Sequence, residues 1–332
     1  MARRRLCRYT DDDGRAARLS DGMRKMSQSP KKIFIDGEAG TTGLQIRELL
    51  AGRADIELVS IAPDKRKDVG AKAEILSQVD LTILCLPDAA AKESVALADT
   101  LGDRAPKILD ASTAHRVAEG WTYGLEELAK GQGEAIRAAK KVSNPGCYAT
   151  GAIAIMRPLV DAHLLCPNTI HMINAISGYS GGGKQMIADY EAGAAVRFEL
   201  YALGLEHKHV PEVMAYARLN ARPLFVPSVG NFRQGMLVSV PLALDSLPGK
   251  PKAADLEAAL KAHYAGRRFV RVVAPEVSGK LEPEALNGTN DLEIRVYANE
   301  ARRQALVVAK LDNLGKGASG AAVQNLQLML GL

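Results

Sequence analysis

The chain has 332 residues, of which 47% are hydrophobic and 24% charged, proportions that suit a soluble protein of two ordinary domains. No run approaches the roughly eighteen uninterrupted apolar residues that a membrane-spanning helix needs, so no membrane role is expected. The formal charge is +5, yet residues 1–32 carry ten Lys or Arg against four Asp, which leaves the remainder near neutral and removes the main argument for a nucleic-acid partner.

Residues 1–30 are polar, lack helical or strand periodicity and have no apolar core for a signal peptide, and they read as a disordered extension. From Lys32 the pattern becomes regular. "KIFID" is a strand, "GEAGTTG" a glycine-rich turn, and "LQIRELLAGR" a helix. "IELVSIA", "LTILCLP" and "KILDAS" continue as strands, with the helix "AAAKESVALADTL" before the last. Apolar strands separated by helices indicate a parallel sheet covered on both faces. After Cys147 a helix, "ATGAIAIMRPLVDAHLL", is followed by "TIHMINAIS", by a helix entered at Pro211, and then by a strand-rich region over 222–312 with no intervening helices, including "GMLVSVPLAL", "FVRVVA", "LEIRVYA" and "QALVVAKLD". The fold expected is α/β: a Rossmann-type parallel-sheet domain over 31–146 joined by 313–332, and an α+β domain over 147–312 with a largely antiparallel sheet. The last helix, with small residues on its first turns, returns to the first domain or lines the cleft.

Gly37, Gly40 and Gly43 form G-x-x-G-x-x-G between the first strand and its helix. There a tight turn presents backbone amides at a helix N-terminus, with Thr41 and Thr42 in its first turn, as a site for a pyrophosphate. Lys65, Arg66 and Lys67 follow the second strand and favour a 2′-phosphate, hence NADP(H) over NAD, although Asp64 is also present.

The four cysteines, Cys7, Cys85, Cys147 and Cys166, form no CxxC pair and no metal-like grouping, so no metal is expected, and the thiols suit the cytoplasm. Cys147 follows Asn144-Pro145-Gly146 at the first turn of a helix, where the dipole lowers a thiol's pKa and amides can hold an oxyanion. Cys85 and Cys166 read as packing cysteines. In "HKHVPE", His207 and His209 lie two apart. In an extended segment their rings point to opposite faces, so one imidazole, with His209 preferred, serves as base, and Glu212 is placed to orient it. Ser177, Ser180 and Lys184 in "SGYSGGGK" make an anion nest, and Ser112 and Arg116 follow the fourth strand where such sheets bind ligands.

These stretches, "DGEAGTTG", "SNPGCYATG", "SGYSGGGK", "HKHVPE" and "KGASGAAVQN", occur in one order along the chain. Together they resemble the N-acetyl-gamma-glutamyl-phosphate reductases, in particular their short-form branch, from about residue 31 onward. The resemblance implies NADPH-dependent reduction of an acyl phosphate to a semialdehyde through a Cys147 thioester, in arginine biosynthesis. His209 or His207 assists with protons, Asn144 orients the cysteine turn, and Ser177, Ser180 and Lys184 contact phosphate or substrate. It also implies a homodimer or homotetramer. The competing readings are a reductase of an aspartyl- or aminoadipyl-type acyl phosphate, and a non-catalytic NADP-binding redox sensor with Cys147 as its oxidisable thiol.

Overall fold

A computed structural model describes residues 29–66 and 68–332. Six strands form the first sheet: β1 (Lys31–Asp36), β2 (Ile56–Val59), β3 (Leu81–Leu84), β4 (Lys107–Asp110), β5 (Thr122–Tyr123) and β6 (Lys141–Ser143). All neighbours run parallel, in the order β2-β1-β3-β4-β6-β5. The order reverses between β1 and β3, and a parallel sheet opens a crevice at the carboxyl ends of its strands at such a point. β3 shows why the sheet is covered twice, since all four of its residues are buried.

One face of this sheet packs on α1 (Thr41–Leu50) and α4 (Gln132–Ala138), the other on α2 (Val69–Leu76) and α3 (Asp88–Asp99). α5 (Cys147–Asp161) then leaves β6 and runs through the middle of the molecule, buried at every residue from Tyr148 to Val160. Small residues make this possible. Gly151 lies so close to the second sheet that a Cβ there would come within 2.7 Å of Val238.

The second sheet holds β7 (Met172–Gly178), β8 (Phe198–Leu200), β9 (Leu224–Gly230), β10 (Met236–Ala243), β11 (Val270–Val272), β12 (Leu292–Asn299) and β13 (Gln304–Leu311), ordered β11-β12-β13-β10-β7-β9-β8. Four of its pairings are antiparallel; β7 with β9 and β11 with β12 are parallel. The parallel pairing of β7 with β9 requires a crossover, made by α6 (Gly183–Glu191), which the sequence reading omitted, and α7 (Val210–Ala217), which it entered at Pro211; α8 (Ala253–Tyr264), before β11, was also omitted. The strand-rich region therefore does contain a helix. α8 escapes notice because its buried contacts come from only Leu256, Leu260 and Tyr264.

The chain ends in a π-helical turn, Gly315–Ser319, leading into α9 (Gly320–Leu330). Ala322, Leu326 and Met329 of α9 join the core between the first sheet and α1 and α4. No helix among the described residues is long and apolar enough to cross a membrane. The expected extension, apart from its last two residues, and Lys67 lie outside the described residues.

Candidate active site

The glycine loop leaves β1 at the crevice. Gly37 has φ +90°, and a Cβ there would collide with the carbonyl oxygen of Cys85, so only glycine fits. At Gly43 a Cβ would lie 2.5 Å from the Gly37 carbonyl oxygen, while Gly40 caps α1 and Thr41 and Thr42 open it. The loop is thus a cradle of bare backbone against a helix N-terminus.

Beside it lies a cavity of about 230 Å³ bordered by Asp36, Glu38, Ile61, Arg66, Lys72 and Leu86. Glu38 accepts from Arg47 Nη1 at 2.7 Å, Ser60 Oγ at 2.9 Å and Arg66 Nη2 at 3.2 Å. Of the basic run, Arg66 therefore faces the loop, and Lys65 is exposed in a short 3-10 turn. Arg47 and Ser60 have no counterpart in the sequence reading, because their convergence depends on the helix-to-strand packing.

Cys147 opens α5, with Gly146 as its N-cap. Three side chains converge above Gly146: a Cβ there would lie 2.5 Å from both Glu212 Oε1 and His209 Nε2 and would collide with Arg116 Nη1. His209 caps α7 from a turn rather than a strand, with φ −85° and ψ −13°. That turn brings the two imidazoles together, their centroids 4.7 Å apart, contrary to the opposite-face expectation. His207 Nδ1 accepts the backbone N–H of His209 at 3.1 Å, which assigns it a neutral ring protonated at Nε2.

Glu212 does not orient an imidazole. It accepts from Arg116 Nη1 at 3.0 Å, Tyr123 Oη at 3.1 Å and the Gly146 amide at 3.3 Å, and no hydrogen bond among the described residues joins it to either histidine. Arg116 in turn donates to the Asn144 carbonyl at 3.2 Å. Arg116 and Glu212 are both buried and form one brace under the cysteine turn. His209 Nδ1 is buried without a hydrogen-bond partner among the described residues.

The electrostatics also depart from expectation. Part of Cys147 remains accessible, but burial pushes its thiol up, and the charge of Arg116 and the N–H of Tyr148 only partly offset it. Burial drives His209 far down, assisted by Arg116, His207 and Lys208. His207 falls to about 4, again through burial first and then Lys208 and Arg116. The resting site therefore holds a neutral thiol beside two neutral imidazoles. Lys208 and Tyr123 act on it without having been recognised in the sequence.

The other expected contacts are distributed around this centre. Asn144 donates to the Ala318 carbonyl at 3.0 Å and accepts from Asn325 at 3.0 Å, tying the cysteine turn to the C-terminal segment. Ser177 donates to the Gly178 carbonyl and lies near the Tyr148 hydroxyl; Ser180 accepts from Asn313 at 2.9 Å. Lys184 is exposed in the first turn of α6. Ser112 is occupied by a local turn, donating at 2.7 Å to Asp110, which also holds His115 at 2.6 Å.

Residues 147–313 match the family described as semialdehyde dehydrogenase, dimerisation domain. Similar solved structures are aspartate semialdehyde dehydrogenase II of Vibrio cholerae, complexed with ASA (TM-score 0.68, 16% identity, covering 92% of this chain and 99% of that one), and the aspartate semialdehyde dehydrogenase of Francisella tularensis (0.69, 14%, 90% and 100%). The fold and the matched half of the chain define an oxidoreductase of the semialdehyde dehydrogenase type. The relatives narrow this: a Mesorhizobium japonicum N-acetyl-gamma-glutamyl-phosphate reductase is 54% identical over 91% of this chain and 99% of its own, and one from Chelativorans sp. is 55% identical over 90% and 98%. The chain belongs to the N-acetyl-gamma-glutamyl-phosphate reductase family.

Proposed function

We propose that the protein reduces N-acetyl-L-glutamyl 5-phosphate to N-acetyl-L-glutamate 5-semialdehyde with release of phosphate, in arginine biosynthesis in the cytoplasm. The observation that carries this reading is the Cys147 thiol on the first turn of a buried helix, with His209 Nε2 poised over the adjoining Gly146. A neutral imidazole accepts the thiol proton as sulfur attacks the acyl carbon; the S–C bond forms, the C–O bond to phosphate breaks, and a thioester remains. The raised thiol suits this order of events, because the thiolate forms only when an electrophile is at hand. Free amides at the start of α5 hold the developing oxyanion. His207 lies against His209 and completes the proton path.

The glycine cradle fits a dinucleotide, and the Arg47, Ser60 and Arg66 donors fit its 2′-phosphate, which favours NADP(H) over NAD. When bound, that cofactor supplies the hydride that reduces the thioester carbonyl. Gly37, Gly40, Thr41, Thr42 and Gly43 would hold its pyrophosphate, and Arg66 and Lys65 its 2′-phosphate end. For the substrate, we assign Ser177, Ser180 and Lys184 to the phosphate or carboxylate, with Arg116, held by Glu212, as an additional cation beside the reacting carbonyl.

The outer face of the second sheet carries Phe198, Leu200 and Leu306 exposed over an apolar groove of about 600 Å³, with Ile170 and Met172 exposed at a second groove that shares Leu306, which supports a homodimer formed on this face. The test of the activity is the reverse reaction: NADP⁺ with N-acetylglutamate semialdehyde, with and without inorganic phosphate. Phosphate-dependent NADPH formation is expected. Activity restricted to aspartate or aminoadipate semialdehyde would overturn the substrate, and nucleotide binding without any turnover would favour the sensor.

A further inference from the structure

The π-helical turn Gly315–Ser319 touches both halves of the site. A Cβ on Gly317 would lie 2.8 Å from the Cβ of Cys147, the Ala318 carbonyl accepts from Asn144, and Ser319 Oγ donates to the Thr42 carbonyl at 3.4 Å in the first turn of α1. The turn therefore stands between the thiol and the nucleotide loop. Its glycines achieve this approach by giving up side-chain packing: neither Gly315, Gly317 nor Gly320 has room for a Cβ. One long side chain remains to anchor it.

That side chain is Lys316, 1% exposed. Its ammonium donates to Glu127 Oε1 at 2.8 Å, Glu127 Oε2 at 2.9 Å and Gln324 Oε1 at 2.7 Å, and stands 5.3 Å from the centroid of Phe269. Gln324 itself is fixed by Glu126 at 2.5 Å and Glu127 at 3.1 Å. A fully bonded buried ion pair of this kind defines one geometry, because each alternative leaves a charge unpaired. π-helical turns also occur disproportionately at functional sites.

We infer that Lys316 is a positioning residue: clamped by Glu127 and Gln324, it fixes the π-turn that sets the distance between the Cys147 thiol and the nucleotide loop, so that acyl group and hydride donor meet in register. This inference rests on the thioester reading above. Lys316 touches neither reacting partner, and each half of the site is built without it.

The consequence is a dissociation of half-reactions. Lys316→Met combined with Glu127→Leu removes the pair without stranding a charge. Three quantities are then measured on the full chain: phosphate released in a single burst from fresh acyl phosphate without nucleotide, NADPH affinity from quenching of Trp121, the single tryptophan, and reductive turnover. Burst amplitude and affinity stay at wild-type values, while turnover falls about 10²-fold, the loss typical of a misplacement near 1 Å. A burst that falls in step with turnover would mean a purely structural role and overturns the inference, as does unchanged turnover. If the double variant does not fold, Lys316→Gln combined with Glu127→Gln, a neutral pair that keeps donor and acceptor, carries the same test. A wild-type protein with no burst refutes the thioester reading itself, and with it this one.

Discussion

Gly146→Ala adds one methyl group at the centre of the site, and two physical arguments give it opposite signs. Gly146 has φ −78° and ψ 148°, which alanine adopts without strain, so backbone entropy alone would stabilise the variant by about 0.4–1 kcal/mol. The new Cβ, however, would lie 2.5 Å from Glu212 Oε1 and His209 Nε2, where ordinary contact begins at 3.4 Å, so both groups must retreat by about 0.9 Å. Arg116 must move as well, and the 3.0 Å bond joining it to Glu212 shares that displacement. Overpacking of this degree costs about 1–3 kcal/mol and outweighs the entropic gain. Displacing His209 by that distance should lower turnover by about 10²-fold. Urea denaturation and steady-state kinetics on the purified variant measure both. A variant as stable and as active as the wild type would refute the convergence of these three side chains on Gly146.

Cys147→Ser should abolish reduction while leaving NADPH binding, followed by Trp121 quenching, close to wild type; retained turnover would exclude the thioester. Alkylation of the nucleotide-free protein by iodoacetamide should rise with pH through a midpoint above the ordinary thiol range near 8.5, since burial raises the Cys147 thiol; a midpoint below 7 would contradict that. His207 is depressed to about 4 and His209 also lies far below its ordinary value, so the unfolded chain binds protons first as pH falls. Stability is then complete above about 6.5 and declines toward 4. His207→Phe should flatten that decline in melting temperature, and an unchanged slope would refute the assignment. Glu38→Gln removes the carboxylate that Arg47, Ser60 and Arg66 now hold, and should tighten NADPH more than NADH by isothermal titration; equal effects would mean that this cluster does not read the 2′-phosphate.

The fold class was legible because its signals are local. Leu81–Leu84 is apolar on both faces, which only a doubly covered strand tolerates, and the glycine triplet sits between a strand and a helix, where backbone has to turn tightly. What stayed hidden depends on chain separations that no periodicity encodes. Glu212 reads naturally as a partner for a histidine three residues away, yet its partner is Arg116, 96 residues distant, because α7 packs its first turn onto the loop after β4. His207 and His209 look divergent only if the segment is extended, and Pro211 in the first turn of α7 begins the helix early enough to fold them together. The helix-terminus argument for Cys147 gave the wrong direction of titration because it omitted desolvation, which exceeds the dipole here. Lys316 sits in a glycine-rich motif and resembles a surface lysine; its 1% exposure follows from a glutamate 189 residues earlier.

α9 returns to the first sheet and contributes Ala322, Leu326 and Met329 to the layer it shares with α1 and α4. On the ribosome, synthesis runs at about 5–20 residues per second. The six parallel strands are thus made first, yet that layer closes only when the final helix emerges, after the whole second sheet has been translated. A chain stalled anywhere before Ser319 exposes an apolar stripe beside its glycine loop and lacks the Ser319 contact to Thr42. Incomplete chains accordingly present to chaperones and proteases a surface that the finished protein hides.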